Sequence, residues 1–303
     1  MRKRKHIRIG VHDAPLALAK AEQARASLEK LRPPVEVSVI PMPGPAHVSG
    51  TSTSPSPVEQ ALLDGRCDVA VRHVKDIPAV PLVRPGTVVA AYPQRGDVRD
   101  ALVHPGGLPL DRLARGTTIG TTSVRRAAYL ARSHPHLKVM PVLGTVDQRL
   151  KALEAGEVGA LVVASHALDL LGQRYRASDW LPVERLCPPL GAAATALQCR
   201  NDDEDTVAVV GRLDDTRTRR EIDAERMLRC VLLAGGHAPA AGFCITLPDG
   251  QLSLRGVLFQ PDGGRFVVSH QRGTDPMDLG TAVGFDLLSS RGHHLIAASA
   301  AQQ

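Results

Sequence analysis

Short apolar runs alternate with helical apolar periods along most of this chain. Residues 7–11, with Ile7, Ile9 and Val11 in alternation, predict an opening strand. Pro15 then starts a helix whose apolar positions include Leu16, Leu18, Ala21, Ala24, Leu28 and Leu31, and Pro33-Pro34 ends it. A second strand is expected over 35–40. Residues 41–57 are rich in Pro, Gly, Ser and Thr without an apolar period, which predicts a mobile loop. A short helix over 58–63 closes at Asp64-Gly65, and a buried strand over 67–71 runs into Arg72-His73-Val74-Lys75-Asp76-Ile77-Pro78. A further strand is expected at 88–92.

A second series begins near Arg99. A β-branched strand over 117–119 breaks at Gly120, and the spacing then becomes helical through Val124, Ala127, Ala128 and Leu130. Strands at 138–142 and 160–164 and helices at 146–154 and 165–171 follow, with Trp180 expected in an irregular stretch. Another strand is expected at 195–199, and a long amphipathic helix over 216–233 marks a boundary. Beyond Gly235-Gly236 strands come in succession, at 243–247, 252–259 and 266–269, before a last helix over 276–288. The alternation predicts an α/β fold with largely parallel sheets and ligand loops at strand ends, plus a small C-terminal α+β domain.

Composition narrows the function classes. A chain of 303 residues suits two or three domains, and 43% hydrophobic with 22% charged residues is a soluble, globular composition. Aromatics at 3% leave no base-stacking surface, so no nucleic-acid partner is expected. The net charge of +6 is spread along the chain apart from Arg2-Lys3-Arg4-Lys5, read as a solvated tail. No apolar signal core or membrane-length run is seen, which predicts a cytoplasmic protein without a membrane partner. The five cysteines, Cys67, Cys187, Cys199, Cys230 and Cys244, form no C-x-x-C pair, so neither a disulfide framework nor a zinc site is expected.

Two stretches carry candidate chemistry. In 116–126 a strand, a tight turn and a helix start bring together Thr121, Thr122, Ser123, Arg125 and Arg126. Free helix N–H groups, hydroxyls and two guanidiniums converging on one point would make an anion site. An ordinary capped helix with solvated arginines fits the same spacing. Lys75-Asp76 follows a buried strand and precedes Pro78, which forces an extended turn. A carboxylate there can steady a developing cation or exchange a proton, whereas a surface turn with an incidental ion pair is the simpler alternative.

Taken together, the stretches resemble the porphobilinogen deaminases, also called hydroxymethylbilane synthases. The resemblance runs from Arg8 to about Arg291. It is carried by residues 61–71, Lys75-Asp76-Ile77-Pro78, Arg99-Asp100-Ala101-Leu102-Val103, and Gly120-Thr121-Thr122-Ser123-Val124-Arg125-Arg126. Arg149-Leu150, Glu154-Ala155-Gly156-Glu157, Gln198-Cys199-Arg200 and Glu225-Arg226 fall in order behind them. The resemblance implies two periplasmic-binding-protein-like α/β lobes flanking a cleft, at 1–97 (with about 196–215 returning) and 98–195. It places the α+β domain at 216–303. It also implies a dipyrromethane cofactor, thioether-linked to a cysteine, onto which porphobilinogen units condense with loss of ammonia. Asp76 would be the catalytic aspartate with Lys75 beside it. Lys75, Thr121, Thr122, Ser123, Arg125, Arg126 and Arg149 would hold acetate and propionate groups.

Departures from that pattern set the functional expectation. Gly236, or His237 by another gap placement, occupies the cofactor-attachment position, so no cofactor is expected to be covalently bound. His12 replaces an arginine, Ala14 a serine, and Arg72-His73 the usual His-Ser pair. Leu143-Gly144-Thr145, Leu190-Gly191-Ala192-Ala193 and Gly50-Thr51-Ser52-Thr53-Ser54 replace further motifs. The expected protein is a deaminase-like enzyme acting on a smaller, pyrrolic or carboxylate-bearing partner without covalent dipyrromethane. His12 and His73 would be new substrate contacts and, with His237, a candidate general-base set; three unrelated polar substitutions are the simpler account of them. No metal is expected. A hydroxymethylbilane synthase with atypical primer anchoring and a non-catalytic anion-binding protein are the competing readings.

Overall fold

The computed structural model describes residues 5–43, 55–78, 84–234 and 239–292. Strand β1 (Lys5–His12), helix α1 (Pro15–Glu29), β2 (Val35–Met42), α2 (Pro57–Leu63), β3 (Val69–His73) and β4 (Thr87–Ala91) form the first series. The second comprises β5 (Asp100–Val103), β6 (Thr118–Gly120), α3 (Val124–Ser133), β7 (Lys138–Met140), α4 (Val146–Glu154), β8 (Ala160–Ala164), α5 (Ser165–Leu170) and β9 (Asp179–Leu181). Then come β10 (Thr195–Arg200), α6 (Glu204–Gly211), α7 (Thr216–Ala234), β11 (Ala240–Thr246), β12 (Leu252–Phe259), β13 (Phe266–Gly273) and α8 (Pro276–Leu287).

The chain divides into two compact units, 1–96 with 194–220 and 97–193 with 221–303. The first holds a five-stranded sheet ordered β2-β1-β3-β10-β4. Strand β1 pairs in parallel with β2 and β3, while β10 runs antiparallel to β3 and β4. The second unit repeats the pattern in β7-β6-β8-β5-β9, with β5 as its antiparallel member. Four of the five strands in each sheet therefore run one way, the α/β class that strand–helix alternation implies. Each antiparallel strand begins the segment that follows a change of unit, which local sequence does not announce.

Cores form where both sheet faces are covered. Ile7, Ile9 and Val11 on β1 pack with Leu28 on α1, Val69 and Val71 on β3 and Leu197 on β10, all buried. In the second unit Leu102, Ile119, Leu130, Ala160 and Val162 play this part. The antiparallel sheet β11-β12-β13 packs Leu252, Leu254 and Leu258 against Leu228 and Leu232 of α7 and Val283 of α8. Tyr129 of α3 sets its ring edge-on against Phe266 of β13 at 4.7 Å between centroids. The C-terminal sheet thus shares a compact unit with the second α/β sheet.

Three local expectations need correcting. Trp180 lies in strand β9, paired with Ala101, and Arg99 and Arg174 place guanidiniums over its ring at 5.5 and 4.4 Å. A three-residue edge strand offers too little periodicity to be read locally. Strand β5 and helix α6 also carry no expectation, although Asp203 caps α6 by accepting from the Thr206 N–H at 3.1 Å. Of the 41–57 stretch, 41–42 close β2, and 44–54 lie outside the described residues.

Candidate functional site: two strand-end turns with opposite charge balance

In the first unit, His12 ends β1 and His73 ends β3, adjacent parallel strands. A single 3-10 turn, Val74–Asp76, follows β3. It forms there because Val74 is buried and donates its N–H to Ala194 O at 3.2 Å, and Ile77 N–H closes on Val74 O at 3.1 Å. Pro78 cannot extend it. Lys75 is exposed and Asp76 half-buried. The turn is gripped through its backbone, since Arg72 Nη2 donates to the Asp76 carbonyl at 3.1 Å. Arg72 Nη1 lies 2.5 Å from Glu59 Oε1, and Arg84 Nε lies 3.4 Å from the same oxygen. Neither approach has hydrogen-bond alignment, so these are charge contacts around one buried carboxylate. Burial lowers the Arg72 guanidinium from its ordinary value, with Glu59 and Asp76 opposing.

Beneath this turn lies Lys20 of α1, only 2% exposed. Its Nζ donates to Thr195 Oγ1 at 2.9 Å, and Thr195 is the register partner of His73. Burial, reinforced by the charge of Lys75 and opposed by Asp76, brings the Lys20 ammonium down to about 7. His12 Nδ1 accepts the Ala14 N–H at 3.0 Å, so its ring has only Nε2 to donate with.

In the second unit, β6 ends at Gly120, where a Cβ would stand 2.5 Å from Leu161 Cδ2 and 2.7 Å from Val142 Cγ2. Only glycine allows so close an approach before the turn. Thr121 N–H bonds Met140 O at 2.9 Å, and Ser123 N–H bonds Thr121 Oγ1 at 3.1 Å. Ser123 caps α3 by accepting the Arg126 N–H. Both arginines turn inward. Arg125 donates to Asp100 Oδ2 at 2.5 Å and Cys187 O at 2.7 Å. Arg126 donates to Asp100 Oδ1 at 2.6 Å and Val162 O at 2.9 Å. Burial pushes the Asp100 carboxyl up, but the two guanidiniums outweigh it and hold the group at about 2.

Two features on this side still face an anion deficit. Among the described residues Arg126 Nε is buried without a hydrogen-bond partner. Arg149 donates to Gly144 O at 2.9 Å and, at 3.4 Å, to Thr122 Oγ1. Burial and the neighbouring Arg126 charge hold its guanidinium below the ordinary value. An incoming carboxylate relieves both conditions.

The expected residues therefore fall into two groups by unit: His12, His73, Lys75 and Asp76 in one, Thr121, Thr122, Ser123, Arg125, Arg126 and Arg149 in the other. Gly236, His237 and 50–54 lie outside the described residues. Sequence reading missed Lys20, Glu59 and Asp100 as site elements. Lys20 follows Ala17 by three residues and precedes Ala24 by four, on the buried face of α1, and a lysine there is a signal in itself. Among the described residues no three His, Cys, Asp or Glu side chains gather as metal ligands, and no helix is long and apolar enough to cross a membrane.

Comparison with known proteins identifies the family. Residues 7–208 match the family described as "porphobilinogen deaminase, dipyromethane cofactor binding domain". Porphobilinogen deaminase 2 of Streptomyces coelicolor is 43% identical over 300 residues, covering 96% of each chain. Porphobilinogen deaminase of Acidithiobacillus ferrooxidans is 34% identical, over 96% of this chain and 97% of its own. Among solved structures, the methionine-binding protein MetQ superimposes at a TM-score of 0.45 and 14% identity, over 69% of this chain and 89% of its own. The chain belongs to the porphobilinogen deaminase family. It is an enzyme of deaminase, hydroxymethylbilane synthase-like type.

The expectation that no dipyrromethane is used is corrected by the same finding, because the matching family is that of the dipyrromethane cofactor binding domain. Glycine at one aligned position was too narrow a basis for excluding the group, since a carboxylate-bearing cofactor is also held by charge. The donors on the second-unit turn are of the type such carboxylates require, with the Arg149 guanidinium held below its ordinary value by burial and by the Arg126 charge.

Proposed function

We propose that this chain releases ammonia from porphobilinogen or a closely related carboxylate-bearing pyrrolylmethylamine and joins the freed carbon to a pyrrole acceptor. Asp76 carries this reading. Its backbone is held by Arg72, its carboxylate is half-buried at the end of a buried strand, and Lys75 adjoins it. A carboxylate so placed stabilises the positive charge that develops on the pyrrole as the amine leaves. Lys75, on the same turn, is suited to a carboxylate of the substrate, as Thr122 and Arg149 are on the second-unit turn. Bound dipyrromethane supplies the pyrrole carbon to which the first unit is joined.

A narrower reading, in which the substrate is smaller or less charged than a growing tetrapyrrole, draws support from the donor inventory. Arg125 spends Nη donors on Asp100 and Cys187 O, and an imidazole, His12, stands where the family resemblance expects a guanidinium. Product analysis separates the two. Incubation with porphobilinogen is expected to release ammonia, and the product mass reports how many rings were joined. Asp76→Asn is expected to lower kcat by roughly 10²–10⁴ with ligand affinity within about threefold. Affinity without turnover in the unsubstituted protein would make it an anion-binding protein and overturn the enzymatic reading.

A further inference from the structure

A buried ion pair stands behind the Asp76 turn, on a sheet face that is otherwise apolar. Alternation along β3 puts Ala70 and Arg72 on one face, and Ala70 belongs there to a buried cluster with Val58, Ala61 and Leu62 of α2. Glu59 of the same helix is 1% exposed and the Arg72 side chain 9%. Taking two charges out of water is costly, and apolar residues of similar volume fill such a place as well or better. What the pair adds is direction. Glu59 is fixed by its own helix, where Oε2 accepts the Ser56 N–H at 3.2 Å in a capping box. Its Oε1 lies 2.5 Å from Arg72 Nη1 and holds the guanidinium by charge. The other arm of that rigid planar group, Nη2, donates to the Asp76 carbonyl at 3.1 Å. One guanidinium therefore spans the 3-10 turn, from the end of β3 to the backbone of Asp76.

We propose that Glu59 and Arg72 are a positioning pair for catalysis: Glu59 fixes the Arg72 guanidinium, and Arg72 fixes the turn that aims the Asp76 carboxylate. The inference rests on the function proposed above, in which that carboxylate faces the developing cation, and it adds two residues that touch no substrate. Electrostatic stabilisation of a transition state depends on where the charge is held, and a misplacement of about 1 Å can cost about 10²-fold in rate. Arg72 is among the departures from the family pattern, so its link to the turn is carried by the geometry of this chain.

The test follows ammonia release from porphobilinogen in the unsubstituted protein, Arg72→Met, Arg72→Lys, the paired variant Glu59→Gln/Arg72→Met, and Asp76→Asn with and without Arg72→Met. Arg72→Met is expected to lower kcat by about 10²-fold, with KM changed by less than about threefold. On the Asp76→Asn background the same substitution is expected to change kcat by less than about threefold, because no carboxylate is left to aim. Arg72→Lys keeps the charge but not the fork. Its ammonium is drawn to Glu59 and leaves the Asp76 carbonyl, so a kcat loss of at least about tenfold is expected to remain. The paired variant removes both buried charges while glutamine keeps the helix cap. It is expected to melt within about 5 °C of the unsubstituted protein and still to show the full kcat loss. Unchanged kcat in Arg72→Met, full activity in Arg72→Lys, or equal losses with and without the Asp76 carboxylate would overturn the inference and leave the proposed function standing. A paired variant that does not fold would make the pair scaffold, with the same consequence. No ammonia from the unsubstituted protein would reject the proposed function and the inference with it.

Discussion

At the end of β6 two arginines face a carboxylate that the chain itself supplies. At the end of β3 two lysines share the field of one aspartate, and one of the lysines is buried. In the first case Asp100 bridges Arg125 and Arg126 with hydrogen bonds of 2.5 and 2.6 Å, so most of the Nη donors of the pair are spent inside the chain. In the second case burial and the Lys75 charge, opposed by Asp76, bring the Lys20 ammonium down to about 7. Motifs of similar appearance thus divide their labour. The arginine pair is largely scaffold that shapes a turn, while the lysine–aspartate turn acts on a lysine whose charge burial disfavours. A cationic motif becomes a ligand site only to the extent that the fold leaves its donors unspent.

Breaking the internal pair is expected to have the largest effect on stability. Asp100→Asn strands two buried guanidiniums and is expected to cost about 3–5 kcal/mol, read from urea unfolding at pH 7. A cost below about 1 kcal/mol would show that the arginines are not held by that carboxylate. The unsubstituted protein carries the same dependence in its acid limb. The Asp100 carboxyl stands at about 2 in the folded chain, below its unfolded value of roughly 3.9. Its contribution is complete above about pH 4 and is lost as pH falls towards 2. Asp100→Asn is expected to flatten that part of the stability–pH curve.

Arg149→Gln sharpens the other side of the comparison. Among the described residues it removes a donor used for Gly144 O and a long contact to Thr122 Oγ1. Porphobilinogen affinity is expected to fall by about tenfold, the value of one charge-assisted hydrogen bond, with Tm changed by less than about 2 °C, as expected at a half-buried position outside the core. A large Tm drop with unchanged affinity would make Arg149 scaffold as well. The smallest effect is expected where the chain passes from the second unit to β10. Ala193 has φ of 55°, a left-handed conformation that favours glycine. Ala193→Gly is expected to stabilise the protein by about 0.5–1 kcal/mol in the same unfolding measurement.

Much of the architecture is legible locally because the determining signals are short-ranged. Helix α4 and strands β8 and β12 follow from apolar period and turn residues within their own windows. The turn after β6 is equally local, since Gly120 and the Ser123 cap act within a few residues. Strand β9 is not, because three residues at a sheet edge are selected by pairing with β5. The candidate residues at both turns are visible from residue type and position, yet their state is not. Arg125 reads as an exposed cation until Asp100, 25 residues earlier, is brought against it.

The amino-acid sequence by itself determined the strand–helix alternation, the two strand-end turns and the membership of the chain in its family. Tertiary structure alone decided which charges are spent. Asp100 neutralises an arginine pair far along the chain, Glu59 gathers Arg72 and Arg84 behind the Asp76 turn, and Thr195 receives Lys20 from 175 residues away. Local pattern is set by backbone sterics and apolar period over a turn or two of chain. The strength of a charge is set by burial and by partners that only folding brings within a few ångströms.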